Sequence, residues 1–211
     1  MSTPIFDVFQ PGLRRGAERL PFAPHKRYFY VEHPTEGWKV FLRACTFIHD
    51  ATNPDPTKFI VVKRYHSRPS AKSWEPPKGQ MEGKDGLAHP SWPILDILVE
   101  NVHREVQEES KIKKVDKLQY TGLVLQGVEV DYKPNTYFQY HVFRGVVQPA
   151  VVEEALEEFE WLNDHPKAFA RMRKDVREKD ALTWFDPRKT KMMGKWSPSL
   201  LIMYLKEYGR R

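Results

Sequence analysis

The stretch Ile94–Ser110 constrains this chain more than any other. Its apolar residues Ile94, Leu95, Leu98, Val102 and Val106 recur at steps of three and four. That spacing lines them along one stripe of a helix. Asp96 sits near the start, where a carboxylate suits the helix dipole. Further on, Arg104-Glu105-Val106-Gln107-Glu108-Glu109 sets three carboxylates at i, i+3 and i+4. They therefore share one face. A solvated, charge-rich helix tolerates such a trio. A hard divalent cation uses it: magnesium takes oxygen ligands and keeps waters that substrate phosphates can replace. Arg104 lies beside this face and can orient one carboxylate.

The segments around this helix alternate in period. Arg27–Val31, Trp38–Ile48, Phe59–Val62, Tyr120–Val130 and Thr136–Val147 predict strands, with Lys133-Pro134-Asn135 as a hairpin turn. Pro166–Lys179 predicts a helix. Ser197-Pro198 starts another, ending near Tyr208. Ser67–Gly79 and 83–93 read as irregular, and Glu153–Leu162 as an acidic segment. The class is mixed α/β or α+β. Residues 1–25 are rich in Pro, Gly and Arg without a period, and read as an extension. That leaves 26–211 as one domain, long enough within 211 residues to bury its own core.

With 34 basic and 28 acidic residues the net charge is +6, which favours anionic partners. The single cysteine, Cys45, forms no internal disulfide and points to a reducing compartment, cytoplasm or nucleus. Met1–Phe9 lacks the pattern of a secretory signal, and no run of about 18 apolar residues predicts a membrane span. The histidines show no metal-ligand spacing, so zinc is not expected.

Upstream of the helix runs Trp74-Glu75-Pro76-Pro77-Lys78-Gly79. Gly79 lets the backbone come close to a ligand or a side chain. The prolines stiffen the approach to it, and Lys78 can act as a point charge on a phosphate.

Gly79, an acidic residue after it, Arg104-Glu105-Val106, Glu108-Glu109 and Ile112 together resemble the signature of the Nudix hydrolases. The Trp-x-Pro-Pro-Lys-Gly run is most similar to the asymmetric diadenosine tetraphosphate hydrolases of that family, as is Lys133-Pro-Asn-Thr-Tyr-Phe. Two departures stand out. Between Gly79 and Arg104 there are 24 residues, about ten more than the family pattern, read as an inserted loop over 84–95. Either Asp85 or Asp96 then takes the first acidic position. Lys111 replaces the late glycine.

The resemblance implies an α+β fold, a mixed sheet sandwiched between helices (α/β/α). It implies that Glu105, Glu108, Glu109 and the Gly79 carbonyl hold Mg2+ or Mn2+. Glu105 ligates or acts as general base on water, oriented by Arg104. A later glutamate would complete the site. Glu154, Glu157 and Glu158 compete for that role, and Glu158 is favoured. Metal neutralises pyrophosphate oxygens and acidifies bound water, and a nearby carboxylate takes the proton.

Lys63, Arg64 and Lys78 are candidate phosphate contacts. Tyr132 and Tyr137, with Phe138, are candidates to stack a nucleobase. His89 and Trp92 could belong to a lid. Arg171–Lys174 and Arg188–Lys191 offer basic surface for RNA, without a recognised RNA-binding signature. The expected function is a magnesium-dependent pyrophosphohydrolase acting on a nucleoside polyphosphate, with a dinucleoside polyphosphate favoured. The mRNA cap and inositol pyrophosphates are alternative substrates. A catalytically inactive nucleotide- or RNA-binding module is the alternative of another class.

Overall fold

The computed structural model describes residues 4–21, 23–53, 55–68 and 72–209. In chain order the elements are β1 (Arg14–Leu20), β2 (Ala23–Glu32), β3 (Lys39–Asp50), β4 (Ile60–Arg64), β5 (Trp74–Glu75), β6 (Lys78–Gln80), α1 (Gly83–Ala88), α2 (Ile94–Ser110), β7 (Asp116–Gly127), β8 (Thr136–Val147), α3 (Pro149–Asp164), α4 (Pro166–Arg171), β9 (Lys179–Trp184) and α5 (Trp196–Tyr208).

The larger sheet runs β1-β2-β3-β8-β7, and β6 also pairs with β3. β3 is buried along nearly its whole length, as expected of a strand covered on both faces. Val40, Leu42, Ala44 and Ile48 point one way, against apolar residues of α2 and α3. Phe41, Cys45 and Phe47 point the other way, towards α5. There the Tyr204 ring stacks on Phe47 at 3.8 Å. The architecture is therefore α+β, a mixed sheet between helical layers. A smaller sheet, β5-β4-β9, lies beside it. β3 and β8 run parallel over twelve residue pairs, Lys39–Asp50 against Thr136–Val147, while the other pairings are antiparallel.

One edge of β3 is shared. β2 pairs with Lys39–Phe41, and β6 pairs with Arg43–Cys45. Where β2 departs, β6 takes its place and carries Gly79 beneath α2. The helix itself is placed by its apolar stripe: Ile94, Ile97, Leu98, Val102 and Val106 are all buried. Truncating one of the leucines or isoleucines to alanine would cost about 2–5 kcal/mol.

Three expectations are corrected. The described residues before 26 are built into the domain: β1 pairs with β2 from Arg14–Glu32 to Leu20–Ala23 at the sheet edge, and Val8 is buried in the core. The segment 84–95 is not simply a loop, because α1 occupies 83–88 and packs so closely on β2 that a side chain on Gly86 would overlap the Phe29 ring. The helix expected over 166–179 ends at Arg171; a turn follows, and β9 begins at Lys179. The acidic segment 153–162 lies within α3. No helix among the described residues is long and apolar enough to cross a membrane.

Candidate active site

The last two turns of α2 project Arg104, Glu105, Glu108 and Glu109. Arg104 is the hub. Its Nη1 donates to Glu108 Oε2 at 2.8 Å, and its Nη2 donates to Glu105 Oε1 at 2.9 Å and Asn101 Oδ1 at 2.7 Å. Nη2 also lies 3.1 Å from Asp85 Oδ2 on α1. Of the two acidic residues that the sequence left open, Asp85 lies at Arg104, while Asp96 is exposed in the first turn of α2. A guanidinium suits this work because its planar fork serves several carboxylate oxygens at once. Burial disfavours its charge, but Glu105, Asp85, Glu108 and Glu82 outweigh that and hold it raised.

Gly79 faces Glu105 directly, since a Cβ at this position would overlap the Glu105 carboxyl group. The bare backbone is what lets the strand and the carboxylate meet. Burial pushes the Glu105 carboxyl well above the ordinary range. Arg104 opposes the rise, and Glu109, Glu108 and Glu178 add to it.

Beside this lies a second buried group. Lys179 Nζ pairs with Glu109 Oε1 at 2.7 Å and with Glu75 Oε1, and Lys78 Nζ pairs with Glu75 Oε2 at 2.7 Å. The Lys78 backbone N–H donates to Glu109 Oε2 at 2.9 Å. Burial works against both ammonium charges, but the carboxylates more than offset it. Glu75 takes both lysines. Glu109 shares one of them, and burial leaves its carboxyl raised.

These groups line two adjoining hollows. One, of about 160 Å3, is bordered by Gly79, Glu82, Glu105, Glu108, Asp175 and Glu178, among others. The other, of about 630 Å3, is bordered by Arg64, Tyr65, Lys174, Arg177 and Lys179. Lys78, Glu109 and Glu178 border both. The small hollow has six carboxylates against Lys26, Lys78 and Arg104. The large one has five cations against Glu75, Glu109 and Glu178. The pair is therefore polarised, acidic in one half and basic in the other.

The other expected site residues divide. Arg64 borders the basic cleft, whereas Lys63 is tied to Asp180 at 3.2 Å. The Lys78 ammonium reaches the site but is committed to Glu75. Tyr132 and Tyr137 do not converge. Tyr132 accepts a hydrogen bond from Arg43 on the α5 side of the sheet, while Tyr137 packs against Phe6 on the opposite side. Tyr132 lies in the connection between β7 and β8, whereas Tyr137 lies on β8 itself. Phe138 is fully buried, with Trp196 and the Arg43 guanidinium on its ring. His89 and Trp92 stack at 3.9 Å, and Arg15 of β1 holds the carbonyls of His89, Pro90 and Trp92. That segment is pinned at three points.

Glu158, the favoured late glutamate, borders a third hollow that it shares with Arg104, Glu108, Lys111 and Arg173. Glu178 stands in the acidic cavity instead. Sequence reasoning missed it because the segment 171–179 read as one helix. It also missed Glu75, Glu82, Asp175 and Lys179. Glu75 had a signal, directly preceding the Pro-Pro-Lys-Gly run and lying three residues before Lys78. Lys179 had a weaker one, the Ala181–Trp184 alternation behind it.

Among the described residues, no three His, Cys, Asp or Glu side chains converge as a ready metal cage. Glu105 and Glu108 are turned to Arg104, and Glu109 to Lys179. The donor chemistry nevertheless fits a hard divalent cation: carboxylate oxygens only, negative charge in excess, and a Glu105 carboxyl that burial and its neighbours hold raised. A cation there would relieve that repulsion.

No protein-family model matches the sequence, and no curated protein does either. Solved structures similar to this chain include a NUDIX hydrolase from Nitrosomonas europaea, at 14% identity over 80% of this chain and 90% of that one, with a TM-score of 0.43. Another is a MutT NUDIX hydrolase from Burkholderia pseudomallei, at 15% identity over 78% and 97%, TM-score 0.42. A mutT/nudix family protein from Listeria innocua is similar at 16% identity over 80% and 92%, TM-score 0.37.

Proposed function

We propose that this chain is a divalent-cation-dependent pyrophosphohydrolase of the Nudix type, cleaving a phosphoanhydride within a nucleoside polyphosphate. The observation that carries the reading is the Gly79–Glu105–Arg104 arrangement: a raised carboxyl pressed against a bare backbone and oriented by a guanidinium. Glu108, Glu109 and Glu178 would hold the cation, with Glu105 as the base. When bound, the cation neutralises pyrophosphate oxygens and makes a ligated water more acidic.

The chain's own residues do the rest. Arg104 engages Glu105 Oε1, which leaves Oε2 to accept the proton of the attacking water. Arg104 also fixes Glu108, so two carboxylates keep their orientation through one side chain. Arg64, Lys174 and Arg177 receive the distal phosphates in the basic cleft, as oxyanion-binding cations do. Tyr65 borders the same cleft with its ring packed against His66 and Phe169. The length of basic surface beside the acidic hollow makes a dinucleoside polyphosphate the favoured substrate.

The test is product analysis with purified protein and magnesium. The panel is diadenosine tetraphosphate, ADP-ribose, an inositol pyrophosphate and capped RNA. Capped RNA is included because Arg171–Lys174 and Arg188–Lys191 could meet its phosphates. The expected result is magnesium-dependent cleavage of diadenosine tetraphosphate, abolished in Glu108→Gln. A folded protein silent on the whole panel would overturn the reading and leave a binding module.

A further inference from the structure

Lys111 ends α2 with φ 62° and ψ 4°, the left-handed conformation that favours glycine. Its backbone N–H closes the helix on the Gln107 carbonyl at 3.1 Å, which a glycine would do with less strain. Something else must account for a lysine here, and the side chain supplies it. Lys111 is buried. Its Nζ donates to the Glu108 carbonyl at 2.7 Å and to the Val176 carbonyl at 2.6 Å, and lies 5.6 Å from the centre of the Phe159 ring. One ammonium therefore ties the last turn of α2 to the turn between α4 and β9.

That turn matters because of what flanks Val176. Arg173 Nη2 reaches Glu108 Oε1 at 3.1 Å. Asp175 and Glu178 border the acidic cavity. Lys179, at the start of β9, pairs with Glu109. Residues 172–178 contain no helix or strand, so their placement depends on such cross-links. We infer that Lys111 is a positioning residue: it docks residues 172–178 against the carboxylate helix and thereby sets Glu178 in the cavity. The substitution that departs from the Nudix pattern is thus a tether acting through main-chain carbonyls.

The test has two arms. The first is independent of activity and uses hydrogen exchange and trypsin on the full chain. Arg173, Lys174 and Arg177 supply cleavage sites within the turn. In Lys111→Gly and in Lys111→Met, cleavage there should rise about tenfold, with exchange in β3 and β8 unchanged. Lys111→Met keeps the apolar stem over Phe159, so it guards against a folding failure of the glycine variant. Protection of 172–178 equal to that of the parent chain would overturn the tether.

The second arm rests on the hydrolase reading. Lys111→Met should lower kcat about tenfold, and that loss should vanish in a Glu178→Gln background. A loss that is fully additive with Glu178→Gln would overturn action through Glu178. A parent chain without turnover would defeat the hydrolase reading, and the first arm would still decide the tether.

Discussion

The backbone of Gly79 and the carboxyl group of Glu105 lie so close that a single added methyl group would overlap them. Gly79→Ala must therefore displace either β6 or Glu105. β6 is paired with β3 on one side, so the side chain gives way. The expected outcome is a folded protein whose turnover falls by about 100-fold or more, because a displacement of an ångström suffices for that. Steady-state kinetics beside a thermal melt would check it. Unchanged turnover in a folded variant would remove the contact from the mechanism.

Arg104 forms ion pairs with Glu105, Glu108 and Asp85 at once. Arg104→Ala leaves three carboxylates facing one another. It should destabilise the fold by about 2–3 kcal/mol, less than a fully buried pair would cost, because the guanidinium is partly solvated. Arg104→Lys should recover little, since an ammonium lacks the fork. Urea unfolding with and without magnesium measures both effects. Magnesium should restore part of the loss if these carboxylates bind the cation.

Lys179 is almost completely buried between Glu75 and Glu109. Lys179→Met strands Glu109, while Glu75 keeps Lys78, and should cost about 3–5 kcal/mol. Adding Glu109→Gln should return part of it by removing the unpaired charge. A double variant no more stable than the single one would show that Glu109 does not depend on Lys179.

His141 is buried in β8, with Nδ1 3.1 Å from the Tyr120 hydroxyl and Nε2 without a partner among the described residues. Burial pushes its imidazole down to about 3. The folded protein then resists a proton that the unfolded chain takes up near its ordinary value of 6.5. Stability should therefore fall as pH drops below about 6.5, at up to about 1.4 kcal/mol per unit. His49, buried beneath Tyr204, is lowered for the same first reason and adds in the same direction. Denaturant midpoints between pH 8 and 5 should show a shallower slope in His141→Gln. An equal slope would place the acid sensitivity elsewhere.

The sequence made α2 legible to the residue, because its apolar stripe meets a core with the same period. β8 and α5 were read nearly as well, for similar reasons. β1 was hidden: along Arg14–Leu20 only Ala17 and Leu20 are buried, so an edge strand left almost no alternation to read. β9 was lost in a run of Lys, Arg and Glu that reads as helix. The same run hid Glu178 and Lys179. Half of the candidate site, on Gly79 and α2, is local in sequence and could be found. The other half reaches it only through tertiary packing about seventy residues further on, where spacing carries no signal.

The parallel pairing of β3 with β8 has a kinetic consequence. Lys39 meets Thr136, so the chain must close a loop of about a hundred residues before these two central strands gain anything from each other. Such closures are entropically costly and slow the folding of non-local sheets. The carboxylates of α2 are local in sequence, but β9 must find β4 across more than a hundred residues before Lys179 can meet Glu109. The acidic face of the helix is thus specified early in the chain, and its partner cation arrives only with the last strand.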